Sequence, residues 1–528
     1  MSIPDASVMN VEKIDLSQIR QFSSFFLDYI SQKDTLQPFY QHFPELKNFQ
    51  PQLEQKQFSQ AQRKDLHAVL TEQYKPIPSF PQQQIDSLLQ ENTFTVTTGH
   101  QLNIFGGPLY LMYKLVTVIN LAEALKKQYP NYHFVPVYWM ATEDHDFAEI
   151  NHFHLFGKKY EWTTQQKGAV GRMNPAEINA ILDSLPEKLP LFEKAYLENK
   201  TLAEATRSWA HELFGEQGLL CIDADHPLLK SQLKDVIRKD IFESITYTSV
   251  SHTSEQLKKS GYETQVNPRQ INFFYLDQGV RERIVQANDR YEVLNTPLSF
   301  SADELNQLIE EHPERFSPNV LLRPVYQEII LPNLAYIGGP AEVIYWLQLK
   351  ALFDALGIAF PIVMPRNFAL FISKTYQKKL HKLGILPADL FLEENDLKRK
   401  LVEGMVEEPV QVQQEQQEIE KAFQSLVEKA LLLDKTLEGF IKAEQQKTIK
   451  SLENIEKRLK KAEEKNQETS ISQLLNVKSK LFPNGGLQER TDNFLNFYLN
   501  DPQFITTLLQ SFDPLDFRFQ ILTEDDQS

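Results

Sequence analysis

Residues 93–125 read TFTVTTGHQLNIFGGPLYLMYKLVTVINLAEAL and lead to HFVPVYWMATEDHD at 133–146. Residues 321–358 read LLRPVYQEIILPNLAYIGGPAEVIYWLQLKALFDALGI and lead to AFPIVMPRN at 359–367. Both stretches follow one order: an extended segment, a Gly-Gly-Pro turn (Gly106-Gly107-Pro108 and Gly338-Gly339-Pro340), an amphipathic helix, and an apolar strand ending in polar residues. That order predicts two βαβ units, because a parallel strand pair needs a crossover helix. The expected fold class is therefore α/β with a parallel-sheet core. Ligands of such sheets sit at the carboxyl ends of the strands. Those ends carry Thr98-Gly99-His100-Gln101, Glu143-Asp144-His145-Asp146 and Arg366-Asn367.

The chain has 528 residues, 41% of them hydrophobic, enough for a large core divided among two or more domains. The net charge is −16, and the densest basic run, KRLKK at 457–461, is flanked by acids. Non-specific nucleic-acid binding is disfavoured, since it needs clustered Lys and Arg. Cys221 is the one cysteine, which excludes internal disulfides and a Cys-rich zinc site and fits a reducing cytoplasm. The N-terminus lacks a basic-then-apolar signal pattern. The apolar run from Leu109 to Leu121 contains Lys114 and is too short to span a bilayer, so a soluble cytoplasmic protein without a membrane partner is expected.

The expected divisions are residues 1–154 (N-terminal helices and the first half of the core), 155–215 (first insertion), 216–239 (core), 240–315 (second insertion), 316–380 (second half of the core), 381–480 (helical coiled coil) and 481–528 (a segment packing back on the body). The run GLLCIDAD at 218–225 reads as a further parallel strand, and QINFFYLDQGVRERIVQ at 270–286 reads as a hairpin around a Gln-Gly turn. Between Val412 and Glu468 there is no proline, and Ile419, Phe423, Leu426, Ala430, Leu433, Leu437 and Phe440 step by four and three. Thr448, Leu452, Ile455, Leu459 and Ala462 repeat the pattern one residue out of phase, which places a slip near 441–447. This segment reads as a coiled coil that pairs two subunits, as a helical hairpin, or as a long helix packed on its own domain.

Several residues carry chemistry. Gly99 permits a tight turn and His100 can donate to phosphate or carboxylate, against the plainer reading of an ordinary turn with a surface histidine. Gly106 and Gly107 permit close backbone approach, and Pro108 suits the first position of a helix whose exposed amides would take an anion. The cluster Glu143, Asp144, His145, Asp146 could bind a divalent metal, work as acid or base, or hold an ammonium group; carboxylates this close raise one another's pKa. Its plainer reading is a solvated acidic loop. His152 and His154 alternate with apolar residues as one face of a strand does. Arg323, Gln327 and Glu328 precede the second Gly-Gly turn, and Tyr336, Glu342 and Trp346 surround it. A buried Arg323 could clamp a carboxylate or simply pair with an internal glutamate. Cys221, inside an apolar strand, reads as core. No GxxxxGK[ST], GxSxG, HExxH or paired CxxC sequence is present.

Together, TTGHQLNIFGGPLYLMYK, ATEDHDFAEI, LRPVYQEIILPNLAYIGGPAEVIYWLQLK and LFPNGGLQER resemble the BshC family, the cysteine ligases of bacillithiol biosynthesis, in family order over nearly the whole chain. The resemblance implies a Rossmann-like core akin to class I synthetases and nucleotidyltransferases, with inserted connecting segments and a coiled coil used for homodimerisation. It implies amide formation between the carboxyl group of L-cysteine and the amine of glucosaminyl malate, with ATP as the expected cosubstrate and no metal ligand assigned. A class I synthetase would carry a lysine-rich loop where this chain has MPRNFALFISK, with Lys374 alone.

Catalytic work is expected of His100, Gln101, Glu143, Asp144, His145 and Asp146. Substrate binding is expected of Thr98, Gly99, Gly106, Gly107, Tyr110, Arg323, Gln327, Tyr336, Gly338, Gly339, Glu342, Trp346 and Arg366. The rival readings are a metal-dependent hydrolase using His145, Asp146 and His152, an adenylating enzyme or nucleotidyltransferase acting on another substrate, and a scaffold whose coiled coil recruits partners.

Overall fold

The computed structural model describes residues 9–405 and 412–524. Two compact units divide the described residues: one formed by 9–370 together with 486–522, the other by 371–405 and 412–485 with 523–524.

The core of the first unit is a five-stranded sheet. Its strands are β1 (Thr93–His100), β2 (His133–Met140), β3 (Leu220–Asp223), β4 (Asn333–Gly338) and β5 (Ile362–Pro365). Every pairing is parallel, and the spatial order is β5-β4-β1-β2-β3. All eight residues of β1 and all six of β4 are buried, as expected of strands covered on both faces. The chain leaves β1 through the crossover helix α1 (Leu109–Gln128) to reach β2, then continues outward to β3. It returns to the other side of β1 for β4, and α2 (Pro340–Leu347) starts the path to β5. The strand order reverses between β1 and β4. This is the doubly wound arrangement, whose ligand crevice opens at that switch point.

The second repeat differs from its sequence reading. Residues Arg323–Ile330 form a helix with Pro324 in its first turn, and only Asn333–Gly338 is extended. The Gly-Gly-Pro of the second unit therefore lies directly at a strand end, whereas eight residues separate His100 from the start of α1 in the first. Pro108 is the N-cap of α1 rather than its first helical residue.

Between β2 and β3 lie a small hairpin (His152–Leu155 with Lys158–Glu161) and the helices Pro190–Glu198 and Leu202–Phe214. Between β3 and β4 lie two helices, Lys234–Glu243 and Ile245–Lys259, joined at Ser244 in left-handed conformation. They are followed by a five-stranded antiparallel sheet that ends at Phe316–Pro318. Strands Phe273–Asp277 and Val280–Ala287 pair across a two-residue turn, Gln278-Gly279, and Gly279 supplies the required positive φ of 69°. The segment 486–522 returns to α1: the Asn120 amide donates to the carbonyls of Leu509 (2.9 Å) and Phe512 (2.6 Å).

In the second unit, helices Gln413–Leu433 and Leu437–Asn466 pack on each other as a hairpin. One helix runs through 441–447, so the change of heptad phase expected there falls inside a continuous helix. The break lies earlier, at 434–436, where Asp434 Oδ1 accepts from the Thr436 amide (2.9 Å) and hydroxyl (2.8 Å). An aspartate bonded to the backbone two residues on competes with helix continuation. No helix among the described residues is long and apolar enough to cross a membrane.

Candidate active site

A cavity of about 840 Å³ lies over the carboxyl ends of β1, β2 and β4. Its floor is built at the switch point. The Gly99 carbonyl accepts from the Lys114 ammonium of α1 (2.8 Å), and that ammonium pairs with Glu342 Oε2 of α2 at 2.5 Å. Glu342 also accepts from the Tyr336 hydroxyl (2.6 Å) and the Gly339 amide (2.7 Å). Burial alone would raise its carboxyl; Lys114, Tyr336 and the Gly339 amide outweigh it and hold the group at about 2. One ion pair thus ties the two halves of the sheet together at the bottom of the crevice.

Arg323 enters this floor beside Gly99. Its guanidinium lies over the rings of Tyr336 (5.2 Å), Trp139 (5.6 Å) and Trp346 (5.9 Å), and Nη1 donates to Gln327 Oε1 at 3.0 Å. Nη2 is buried with no hydrogen bond within 3.5 Å; the Tyr345 side chain interacts with the guanidinium, and no carboxylate of the described residues is within ion-pair distance of it. Glycine at 99 keeps that approach open, because a Cβ there would stand 3.2 Å from the Tyr336 hydroxyl and 3.4 Å from Arg323 Nη1. His100 is 8% exposed, and its Nε2 also lacks a partner. Burial, then the neighbouring Lys114 and Arg366 charges, pull its pKa down to about 3, so the imidazole is neutral at physiological pH.

The acidic loop after β2 forms one wall, and its carboxylates are not equivalent. Glu143 is buried against the Lys230 ammonium; burial pushes its pKa up while Lys230 opposes the shift. Asp144 behaves in the opposite way. Burial would raise it, but His145, Arg281 and the amides of residues 145 and 146 bring it to about 2. Crowding therefore does not make Asp144 a general base, contrary to the sequence expectation. Arg281 Nη1 lies 2.7 Å from His145 Nδ1; a guanidinium only donates, so Nδ1 accepts there and Nε2 is the ring nitrogen left to donate. Asp146 is exposed at the rim, and Gln101 reaches Glu149 at 3.0 Å.

Arg366, at the end of β5, closes the opposite side. Its Nη2 pairs with the buried Glu489 (2.5 Å), its guanidinium lies over Tyr110 (5.3 Å) and Phe368 (4.6 Å), and its Nε has no partner. Arg490, next to Glu489, lines the same side. The cavity walls also receive Arg269, Arg281 and Arg283 from the second insertion.

Thirteen of the residues singled out from sequence line this one cavity: Gly99, His100, Gln101, Tyr110, Glu143, Asp144, His145, Asp146, Arg323, Tyr336, Gly339, Glu342 and Arg366. Thr98, Gly106, Gly107, Gln327, Gly338 and Trp346 lie behind the lining. The Thr98 hydroxyl donates to the Ile337 carbonyl, and the Gly338 carbonyl receives the Arg366 amide. Trp346 stacks on Tyr336 at 4.5 Å, and Gln327 is spent on Arg323 and Glu328. The anion site expected at Gly106-Gly107 does not form. The Gly107 amide donates to Ile104, the Leu109 amide donates to Asp492, and Asn493 Nδ2 donates to the Phe105 and Gly107 carbonyls. His152 and His154 sit together on their hairpin outside the cavity. Among the described residues no group of three or more His, Cys, Asp or Glu is arranged to hold a metal ion. Cys221 is fully buried, and burial pushes its thiol up to about 12, as befits a core residue.

Residues 9–367 match the family described as bacillithiol biosynthesis BshC, N-terminal Rossmann-like domain, and residues 369–524 match its C-terminal coiled-coil domain. The chain belongs to the BshC family. A relative from Cytophaga hutchinsonii named "Putative cysteine ligase BshC" is 43% identical over 517 residues, covering 98% of this chain and 99% of its own. Proteins of the same name from Flavobacterium johnsoniae and Chlorobaculum tepidum are 43% and 30% identical, over 95% and 93% of this chain and 97% and 95% of their own.

Within this BshC chain, sequence reasoning passed over Lys114, Lys230, Arg281, Glu489 and Arg490. A lone lysine in the apolar run LYLMYKLVTV was a usable signal for Lys114, since a buried ammonium needs a partner. Glu489 and Arg490 close the quoted motif LFPNGGLQER but carry no sign of their partner, since Arg366 and Glu489 are 123 residues apart; Lys230 and Arg281 left no signal, Arg281 and His145 being 136 residues apart.

Proposed function

We propose that this protein joins the carboxyl group of L-cysteine to the amine of glucosaminyl malate, the amide-forming step of bacillithiol biosynthesis. The observation that carries the reading is the near-full-length match to relatives named as cysteine ligases, in a chain whose cationic cavity opens at the switch point of a doubly wound sheet. Amide formation needs an activated carboxyl group, a neutral amine and a stabilised oxyanion. Arg323 is suited to anchor a substrate carboxylate, because no carboxylate of the described residues pairs with its guanidinium and Nη2 has no hydrogen bond within 3.5 Å. Neutral His100 and the Nε2–H of His145 are suited to donate to developing negative charge. Asp146, exposed at the rim, is suited to receive an ammonium, and Glu143, raised by burial, to accept a proton.

ATP is proposed as the activating cosubstrate. The unpartnered Nε of Arg366, whose charge is matched by Glu489, offers a donor and the neighbouring Arg490 a charge for a polyphosphate on the β5 side of the cavity. ATP when bound supplies a phosphoryl or adenylyl leaving group for the carboxyl oxygen. The lysine-rich loop of class I synthetases has no counterpart here, since residues Phe368–Ile372 form a buried strand. Purified protein with L-cysteine, glucosaminyl malate and ATP should yield the amide by mass spectrometry, dependent on each addition. Absence of product with all three present would contradict the reading.

Homodimerisation through the helical hairpin belongs to the same proposal, as does a cytoplasmic location, which a lone buried cysteine suits. Leu432 and Leu433 at the hairpin turn are 87% and 84% exposed, and Phe440 is 64% exposed, so an apolar patch stands open there. Sedimentation should show wild type as a dimer and the Leu433→Glu/Leu437→Glu variant as a monomer; a dimeric double variant would place the association elsewhere.

A further inference from the structure

Arg323 is held by a buried polar relay that begins at Lys56. Lys56, at the end of helix Phe49–Gln55, donates through Nζ to Glu328 Oε2 (2.9 Å) and to the Glu328 carbonyl (2.9 Å), with the two side chains 3% and 0% exposed. Glu328 Oε1 accepts from Asn333 Nδ2 (2.6 Å) and from Gln327 Nε2 (3.0 Å). Asn333 Oδ1 in turn accepts from the hydroxyls of Thr97 (2.8 Å) and Thr95 (3.3 Å) on β1. The relay ends where Gln327 Oε1 accepts from Arg323 Nη1.

A buried ion pair is poor value as a stabilising device, since desolvation offsets most of the attraction. What this one does locally is fix an amide. With a carboxylate oxygen on its Nε2 side, Gln327 cannot flip without setting oxygen against oxygen at Glu328 and nitrogen against nitrogen at Arg323. Gln327 therefore always offers Arg323 a neutral acceptor. The guanidinium is oriented by that bond while no carboxylate pairs with its charge; Nη1 lies at the open face of Gly99, and Nη2 has only the neutral Tyr345 side chain near the guanidinium to contend with. A glutamate at 327 would orient Arg323 equally well and cancel its charge.

We propose that Gln327, fixed by the Lys56–Glu328 pair, is a positioning residue that keeps Arg323 an unneutralised cation for a ligand carboxylate. The inference rests on the carboxylate-anchor reading of Arg323 above. Both substrates of the proposed reaction carry carboxylates, and the test separates them.

The full-length protein is titrated with L-cysteine, with L-malate and with L-cysteine methyl ester, using the fluorescence of Trp139 and Trp346, which flank the guanidinium. Wild type should respond saturably to at least one acid. Gln327→Glu should weaken that acid about tenfold or more, the scale of a lost charge-assisted hydrogen bond, and leave any response to the ester unchanged. The acid affected identifies whose carboxylate Arg323 holds. A second variant, Lys56→Met/Glu328→Met, removes both the pair and the oxygen that accepts from Gln327 Nε2 without leaving a buried charge, so it tests the relay even where Gln327→Glu fails to fold. It should weaken the same acid and again spare the ester. Acid affinity within about twofold of wild type in the folded variants, or equal losses for acid and ester, would overturn the positioning role. A wild type that answers to neither acid would overturn the anchor beneath it.

Discussion

At Gly106-Gly107-Pro108 the backbone is left-handed at three successive residues, Phe105, Gly106 and Gly107, with φ of 53°, 74° and 58°. Its polar groups are consumed by the protein, chiefly by Asp492 and Asn493 of the C-terminal segment. At Gly338-Gly339-Pro340 neither glycine has positive φ; the chain passes straight from β4 into α2, and the Gly339 amide is given to Glu342 on the cavity floor. The same tripeptide is thus a packed corner in one half of the sheet and part of the ligand crevice in the other. A repeated turn sequence constrains where the chain can bend. What the turn faces depends on whether it adjoins the strand end or stands a loop away from it.

Alanine substitutions at the two turns sharpen that contrast. Gly107→Ala should be the more damaging: its Cβ would lie 2.5 Å from Asn103 Cβ on a backbone that alanine resists. A loss on the order of 2–4 kcal/mol is expected from left-handed strain and overpacking together, read by chemical denaturation. Gly339→Ala should change stability by less than about 1 kcal/mol, because φ is −73° and the nearest atom is Glu342 Oε2 at 3.3 Å. Its effect should instead appear in substrate affinity, through the displaced Glu342 carboxylate. Equal stability losses at the two sites would mean that the turns are alike after all.

The crevice was legible in the sequence to the extent that it is built from strand ends. Apolar runs closing on Gly99-His100, on Glu143–Asp146 and on Arg366 gave the edge of the sheet, and the parallel order puts those ends together. The states of the side chains there were not legible. Asp144 and Glu143 are neighbours in sequence, yet one is lowered by amides and Arg281 while the other is raised by burial. Gln327 looked like a ligand residue because it precedes the Gly-Gly turn; only folding reveals that Lys56, 272 residues from Glu328, stands behind it. In the helical unit the heptads located the long helices but not the break, since Leu433 and Leu437 keep a heptad step across a turn made by Asp434. Periodicity records which face is apolar and is silent about where a side chain captures the backbone.

The most direct test of the account is a crystal structure of the full-length protein with L-cysteine and glucosaminyl malate bound. The prediction is that both occupy the cavity over β1, β2 and β4, with one carboxylate at Arg323 Nη2 and the other ligand reaching the 143–146 loop. Either substrate bound outside that cavity, or a Arg323 guanidinium left without a ligand oxygen, would contradict it.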